Sequence, residues 1–367
     1  MRILLPILLL PLCFALNERR SGRSPTGLLM GDAFTSIADD ESTLFYNPAL
    51  LARHTGFSFV PFNPLITVTN PLNEDAEASD GDSSATQAAN DYLGVPAHIG
   101  LNLSPGFKMG KFGLTAIYDN QTNIILQDQV TPRLDIDYRN DTGFIAGFAY
   151  PLFGNYSNKS GGSHLAVGGA IKYINRESIN NSFKLLSPTI INAFDAGEFD
   201  EVLDALGRVR GQGWGFDMGM DYAVKSGASS FMLSLALLDI STNIITEEND
   251  NDFEVQQNEF KANLGTAWRV DIGGGLGYTL SLDVRDMQTQ MEFMKRIRVG
   301  AAVKLTPALK LMAGINANRY SYGARLNIGL IDVYGGFYDL DIGEKLGQVV
   351  SRRALIYFSL FDFTFDP

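Results

Sequence analysis

The stretch Trp214-Gly215-Phe216-Asp217-Met218-Gly219-Met220-Asp221-Tyr222 decides how this chain folds. Its bulky apolar side chains alternate with glycine and aspartate. Because successive side chains of a β-strand point to opposite faces, one face of this strand is apolar and the other is small and charged. The same two-residue period recurs at 260–269, 276–285, 296–304 and 320–328. The sequence therefore predicts an all-β protein.

Aromatic residues at the strand ends indicate which kind of sheet this is. A soluble antiparallel sheet and a membrane barrel both bury one face, so alternation alone fits either. Trp214 and Tyr222 lie at opposite ends of one apolar face, on the order of 26 Å apart at about 3.3 Å per residue. Tilted by ~40°, this length comes near the lower end of the apolar band of an outer-membrane barrel, which aromatic belts flank. We therefore favour a transmembrane antiparallel β-barrel.

The candidate strands number about fourteen, and the connections between them alternate between short and long. An even count with short periplasmic turns and long external loops is typical of outer-membrane barrels. The longer connections are 63–96, 120–141, 176–211, 240–257, 287–294 and 342–351. The candidate strands are 55–62, 97–104, 111–119, 142–151, 163–175, 212–224, 229–239, 258–269, 275–286, 295–305, 309–317, 320–329, 331–341 and 352–365.

Two of these segments carry additional features. The last strand places a set of large side chains on one face, which resembles the terminal assembly signal of outer-membrane barrels: Leu355, Tyr357, Phe361, Phe363 and Phe365. The long loop at 176–211 contains an amphipathic helix at 188–208. The apolar face of that helix needs the barrel mouth, the lipid interface or another protein as a partner. We favour a lid that packs on its own barrel.

The chain begins with features of a cleaved secretory signal peptide. Residues 1–15 combine one basic residue, a short apolar run and small residues at the cleavage position. Cys13 is the single cysteine of the 367 residues. A mature chain that starts after Ala15 therefore has none, which excludes disulfides, thiol catalysis and cysteine metal sites. Bulky Leu12 disfavours a lipoprotein.

Composition excludes several functions. A formal net charge of -12 offers no basic stripe for nucleic acid. The three histidines, His54, His98 and His164, are far apart in sequence and lack metal-site spacing. No nucleophile, base and acid set is discernible. The sequence therefore predicts no enzyme, no metal and no cofactor.

The segment from Gly31 to Ala52 is the most densely specified part that is not a strand. Asn47-Pro48 has the features of a helix start, with Asn as N-cap and Pro at the first helical position. The segment is either a simple cap helix or a plug. A plug is expected where a barrel is too wide for its own side chains to fill the lumen. The predicted organisation is a signal peptide at 1–15, a plug or hatch at 16–54 and a barrel at 55–367.

The inward faces of the strands carry charges of both signs. These residues can line a solute path, but we expect them to pair across strands and with the plug. They are Asp217, Asp221, Lys261, Arg269, Asp283, Arg285, Arg296, Arg298 and Arg325.

The acidic segment from Gly31-Asp32-Ala33 to Asn47-Pro48-Ala49, followed by a barrel of this size, resembles the FadL-like outer-membrane superfamily. The strand sequences at 213–219 and 298–304 and the segment 311–336 resemble its PorV-like branch most. The resemblance implies a fourteen-stranded barrel in a Gram-negative outer membrane, in contact with its lipid. It makes Gly31, Asp32, Asn47, Pro48 and Ala49 the hatch and gating residues.

The resemblance leaves two functions open. In the transporter branch, small hydrophobic molecules such as fatty acids enter from outside and leave sideways through the wall after the hatch shifts. In the PorV-like branch, the barrel does not transport and instead binds secretion or envelope proteins. A continuous apolar groove beside the hatch favours the first function, whereas a polar, ion-paired interior favours the second.

Overall fold

The computed structural model describes residues 20–70, 93–128, 131–154, 156, 161–184, 199–247, 254–343 and 345–365. The predicted signal peptide lies outside these residues. The strands form one sheet and are β1 (Phe57–Val60), β2 (Pro64–Thr69), β3 (Ala97–Leu103), β4 (Gly106–Met109), β5 (Phe112–Gln127), β6 (Arg133–Gly154), β7 (Gly162–Lys184), β8 (Val209–Ser226), β9 (Ser229–Thr246), β10 (Lys261–Gly273), β11 (Leu276–Val284), β12 (Ile297–Lys304), β13 (Leu309–Asn316), β14 (Arg319–Ile328), β15 (Ile331–Asp341), β16 (Val350–Leu360) and β17 (Phe363–Phe365).

The described helices are all short. They are α1 (Pro25–Leu29), α2 (Thr43–Tyr46), a 3₁₀ helix at Pro48–Arg53, α3 (Phe199–Ala205) and α4 (Phe293–Arg296). In the described part of the chain, none is long and apolar enough to cross a membrane.

The sheet closes on itself as an antiparallel barrel of 14 strands, as predicted. The closing pair is β16 with β2, where Ile356 lies opposite Ile66. The three short strands β1, β4 and β17 pair with one another, β1 lying between the other two, and extend β2, β3 and β16 beyond a break. The predicted first strand at 55–62 was therefore too short, because 64–69 also belongs to the wall. The rest of the polar connection, 71–92, lies outside the described residues.

Strands β5 to β9 are much longer than predicted. Within the predicted loops 120–141, 176–211 and 240–257, the structure has strand at 120–127, 133–141, 176–184, 209–211 and 240–246. At about 3.3 Å per residue and ~40° of tilt, Lys184 at the end of β7 lies on the order of 30 Å beyond Tyr173. The hydrophobic alternation fades in this part because water or protein, rather than lipid, faces the outer side of the wall. A sequence pattern based on lipid contact therefore missed it.

The two faces of the wall differ as the alternation predicted. On β8, Trp214 is 48% exposed and Met218 59%, whereas Asp217 is 2% and Asp221 0% exposed. Trp214 also belongs to an aromatic cluster with Phe144 and Tyr173, whose ring centroids are 5.0 to 6.0 Å apart. The outward face is thus apolar with an aromatic edge.

The last strand corrects one expectation. Leu355 and Tyr357 are 1% and 5% exposed and face inward, whereas Phe361 is 57% exposed. Phe361 has a φ of 61°, a left-handed conformation that interrupts the strand between β16 and β17 and changes its phase. The predicted single aromatic face therefore does not exist.

Helix α3 packs on the outer face of the barrel wall. Of the predicted helix at 188–208, residues 188–198 lie outside the described residues. Leu203 and Leu206 are buried against Ile136, Tyr138 and Ile179. Along β6 and β7, these three residues alternate with residues whose side chains point inward, so their own side chains lie on the outer face of the wall. The described contact of α3 is with the chain's own wall, and the lid remains a prediction.

Candidate functional site

The N-terminal segment, residues 20–54, lies inside the barrel. It contacts inward-facing groups of β4, β8, β11, β14 and β16, which lie around the circumference. Its apolar residues belong to the largest buried cluster of the protein's described part. The segment is therefore packed against the inner face of the wall.

Asn47 and Pro48 start the 3₁₀ helix and also contact the wall. The Asn47 side-chain oxygen accepts a hydrogen bond of 3.0 Å from the Ala49 N–H, and Pro48 is the first helical residue. The Asn47 amide nitrogen donates to the backbone oxygens of Met220 and Leu235 at 3.4 and 3.5 Å. One buried side chain thus caps the helix and joins it to β8 and β9.

Two glycines of the wall make room for this turn. A Cβ atom at Gly168 would lie 2.5 Å from the Ala49 nitrogen, and one at Gly219 would lie 1.9 Å from the Asn47 Oδ1 atom. Such distances are far inside van der Waals contact, so only glycine lets the two backbones approach this closely.

Gly31 makes a similar contact on the other side of the barrel. Its φ is 64°, and its N–H donates to the Ser321 hydroxyl at 2.9 Å. A Cβ atom there would lie 2.6 Å from the Ile315 nitrogen. Both the conformation and the space at this position require glycine.

Asp32 is a charged anchor between the N-terminal segment and the wall. Its carboxylate accepts a hydrogen bond of 2.9 Å from the Tyr46 hydroxyl and another from the Arg285 guanidinium at the end of β11. Arg20 lies 3.6 Å away. One carboxylate therefore holds two parts of the segment and one wall residue together.

Asp221 is the centre of a second anchor. Arg53, the last residue of the 3₁₀ helix, donates to both of its carboxylate oxygens, one of them at 2.7 Å. His164 Nε2 lies 2.8 Å from the carboxylate, and the Ser234 hydroxyl donates to it at 2.7 Å. Asp221 is fully buried. The charge is thus satisfied from the wall and from the N-terminal segment.

Two further predicted residues contact the N-terminal segment. The Asp283 carboxylate on β11 accepts a hydrogen bond of 2.8 Å from the Thr35 N–H. Arg269 on β10 lies 3.3 Å from Asp39, whose side chain is 61% exposed. The first contact is buried and the second is largely open to solvent, so the first contributes more to holding the segment.

The other predicted residues have their described partners in the wall and its turns. Lys172 on β7 lies 2.8 Å from both Asp217 and Asp239. Arg298 donates to the backbone oxygens of Lys295 and Ile297, and Arg325 forms an ion pair with Asp332. Arg296 donates to the backbone oxygens of Thr289 and Met291. Lys261 is buried within electrostatic reach of Asp239 and Asp286. The predicted residues therefore form separate pairs around the lumen, with no single cluster.

Sequence reasoning missed a cluster on β6 and β7. Arg139, Asp141 and Arg176 are buried inside the wall, and Arg139 and Arg176 each lie within ion-pair distance of Asp141. These residues fell in the segments that the sequence analysis treated as loops. The alternating charges of 135–141 were the available signal, since they recur at every second position.

The breaks between β1 and β2, β3 and β4, and β16 and β17 lie in neighbouring strands and form a seam. Asn63 and Ser104 bridge it, each accepting a hydrogen bond of 2.9 Å from the other. Glu41 of the N-terminal segment accepts from Asn63 at 3.1 Å and from the Tyr357 hydroxyl at 2.5 Å. Burial, with a smaller effect of the negative charge on Asp40, raises the pKa of Glu41 to about 7.

A cavity of about 340 Å³ lies next to this seam. Its lining is mainly polar and includes Asp40, Glu41, Lys108, Arg325 and Tyr357. A second cavity of about 140 Å³ is lined by apolar residues such as Ile37, Leu50 and Leu51 as well as by charged ones. In the described part of the chain, these cavities do not make up a continuous apolar groove.

A closed antiparallel barrel with an apolar outer face, an aromatic edge and a polar interior is the architecture of outer-membrane β-barrel proteins. No protein-family model and no curated protein matches this chain. Among solved structures, a mutant of the TodX monoaromatic hydrocarbon channel is 12% identical, covers 94% of this chain and 100% of its own and gives a TM-score of 0.47. The Pseudomonas putida toluene transporter TodX is 13% identical, with coverages of 94% and 99% and a TM-score of 0.45.

The CymD monoaromatic hydrocarbon channel is also similar. It is 10% identical, covers 95% of this chain and 100% of its own, and gives a TM-score of 0.42. These are barrels of the FadL-like kind that the sequence resemblance named. The PorV-like branch, which the resemblance put closest, is not supported by the matches.

Proposed function

We propose that this chain is an outer-membrane channel for the passive uptake of small hydrophobic molecules, fatty acids or similar compounds, with residues 20–54 as its gate. The observation that carries the proposal is the apolar interface between this segment and β5 and β6. A Cβ atom at Gly147 would lie 2.4 Å from a methyl group of Leu44, and one at Gly113 would lie 3.0 Å from a methyl group of Leu51. If the segment moves, this interface becomes an apolar path.

The way in which the segment is held suits a gate. Discrete side-chain contacts fix it, among them those of Asp32, Arg53 and Thr35 with the wall. The strands keep their own backbone hydrogen bonds when such contacts break, so the barrel can stay folded while the segment moves. The seam at Asn63 supports a sideways exit, because Glu41 of the segment is one of the groups that close it.

The remaining expectations belong to the same proposal. The chain is exported through a signal peptide at 1–15, which is cleaved, and resides in a Gram-negative outer membrane, where its apolar band contacts lipid. Gly31, Asp32, Asn47, Pro48 and Ala49 position the gate. The channel works by diffusion, so it needs no catalytic residue, metal or cofactor.

Uptake of labelled fatty acids and labelled aromatic hydrocarbons tests the proposal. Cells that express the chain should take up at least one of these compounds faster than cells that lack it. A hydrophilic sugar of similar mass is the control, since general leakiness of the membrane would admit it as well. Equal uptake of all hydrophobic probes with and without the protein would refute the channel.

One observation favours the second candidate, a barrel that does not transport and binds secretion or envelope proteins. The larger described cavity is lined mainly by polar and charged side chains, which suits a permanently filled lumen. This candidate predicts equal uptake with and without the protein. It also predicts that the purified barrel migrates with a defined partner and that removal of α3 or another exposed element abolishes the complex.

A further inference from the structure

Arg176 lies where three separate parts of the chain meet. Its guanidinium is fully buried on the inward face of β7. The Nε and Nη2 atoms donate to the two carboxylate oxygens of Asp141 on β6 at 2.6 and 2.7 Å. This bidentate pair belongs to the wall and leaves other donors of the guanidinium for further partners.

The connection that precedes β10, residues 254–260, uses those donors. Arg176 Nη1 donates to the backbone oxygen of Gln256 at 2.7 Å, and Nη2 donates to the Asn258 side-chain oxygen at 2.9 Å. The Gln256 amide in turn donates to Asp137 on β6 at 2.8 Å. Both loop side chains are buried, so the connection lies along the inner face of the wall.

The start of the N-terminal segment binds the same pair. The Ser21 hydroxyl donates to Asp141, and it lies 3.5 Å from Arg176 Nη2. Beside it, Arg139 donates to the backbone oxygen of Arg20 at 2.5 Å. The first described residues of the chain are therefore held by charges that the loop also uses.

Sharing one buried ion pair links the loop and the segment energetically. When the loop leaves, buried donors of Arg176 lose their acceptors, and such groups are costly unless they move or water enters. Either response disturbs Asp141 and weakens its bond to Ser21. The linkage acts in both directions, because a coupling free energy between two sites is reciprocal.

We propose that Arg176 and Asp141 form a latch through which the loop 254–260 controls the start of the N-terminal segment. The proposal rests on the proposed function only in taking movement of that segment as the opening step. A molecule that displaces the loop from outside thereby loosens residues 20–24 before it reaches the segment itself.

Hydrogen exchange of the intact barrel in detergent micelles tests the latch. Asn258→Ala removes one acceptor of Arg176 and should make the amides of residues 20–30 exchange about tenfold faster. The matched control is Asn181→Ala, because the side-chain amide of Asn181 donates to the backbone oxygen of Leu206 and bonds neither to Arg176 nor to the loop 254–260. The control should leave residues 20–30 unchanged.

The reverse experiment keeps the test independent of how one variant folds. Ser21→Ala should speed exchange in residues 254–260, while the amides of β12 to β14 stay as protected as in the unmodified barrel. If each substitution loosens only its own segment, the latch does not exist. Because the measurement does not involve uptake, a barrel that fails to transport can still confirm or refute the latch.

Discussion

The guanidinium of Arg53 donates to both carboxylate oxygens of Asp221 and thereby joins the end of the 3₁₀ helix to strand β8. Asp221 is fully buried, whereas the side chain of Arg53 keeps 11% exposure. The pair connects the proposed gate to the barrel wall, so its strength bears directly on the proposed gating.

Arg53→Gln should release the N-terminal segment. Removing one partner leaves a buried carboxylate without its main counter-charge, a change that typically costs about 3–5 kcal/mol. We expect faster hydrogen exchange in residues 43–53 and faster uptake of hydrophobic probes. Arg269→Gln is the control, since its pair with exposed Asp39 is worth less than about 1 kcal/mol. Identical behaviour of the two variants would contradict the assigned role of Arg53.

Gly219→Ala should displace the turn at Asn47. The added methyl group would lie 1.9 Å from the Asn47 Oδ1 atom, so the segment or the strand must shift. We expect increased permeability to hydrophobic antibiotics in cells that carry the variant. Gly335→Ala on β15 is a matched control, because its Cβ would meet no atom within 4 Å. An effect of the control equal to that of Gly219→Ala would show that glycine loss in the wall, and not contact with Asn47, is the cause.

Replacement of Asn47-Pro48 by Ala-Ala should loosen the gate in a different way. It removes the cap of the 3₁₀ helix, which typically contributes about 1 kcal/mol, and the two bonds from Asn47 to the wall. Sensitivity to hydrophobic antibiotics should rise, with the barrel still resistant to protease. An unchanged barrier would reduce the segment to a structural cap.

Glu41 should make the segment's attachment depend on pH. Its pKa is raised from 4.5 to about 7, so the folded protein keeps a proton there that the unfolded chain has lost. The stability that Glu41 influences is therefore highest in acid and falls as pH rises from about 4.5 to about 7. Exchange of residues 39–46, corrected for the intrinsic pH effect, should be slower at pH 5 than at pH 8. Glu41→Gln should flatten this difference, and a Gln variant with the same pH profile would exclude Glu41 as its source.

The sequence was sufficient to predict the strand count and the two faces of the membrane band. Contact with lipid requires an apolar outward face, and apolar side chains therefore occur at every second position of strands such as β8. Beyond the membrane band, the strands need no apolar outward face, so the alternation that predicts a strand is weaker. For this reason β5 to β9 were predicted too short, and Arg176 and Asp141 were missed.

The partners of the inward charges could not be predicted from the sequence. Asp221 meets Arg53, and Asp283 meets Thr35, across separations of more than 150 residues that only the folded barrel brings together. Local patterns give the direction of a side chain but not which distant segment it faces. The reversal of inward and outward positions at Phe361 could not be predicted either, because no local sequence feature indicates its left-handed conformation.

A reversible tether between the segment and the wall tests the central claim most directly. A Cβ atom at Gly265 would lie 2.9 Å from that of Thr35, so the pair Thr35→Cys and Gly265→Cys is close enough to be oxidised to a disulfide after a small local adjustment. The single native cysteine, Cys13, lies in the predicted signal peptide and should not interfere. The measurement is uptake of a labelled hydrophobic probe by the same cells before and after reduction. We predict that the oxidised barrel does not transport and that reduction restores uptake; equal uptake in both states, with the disulfide shown to form, would contradict a gate made of residues 20–54.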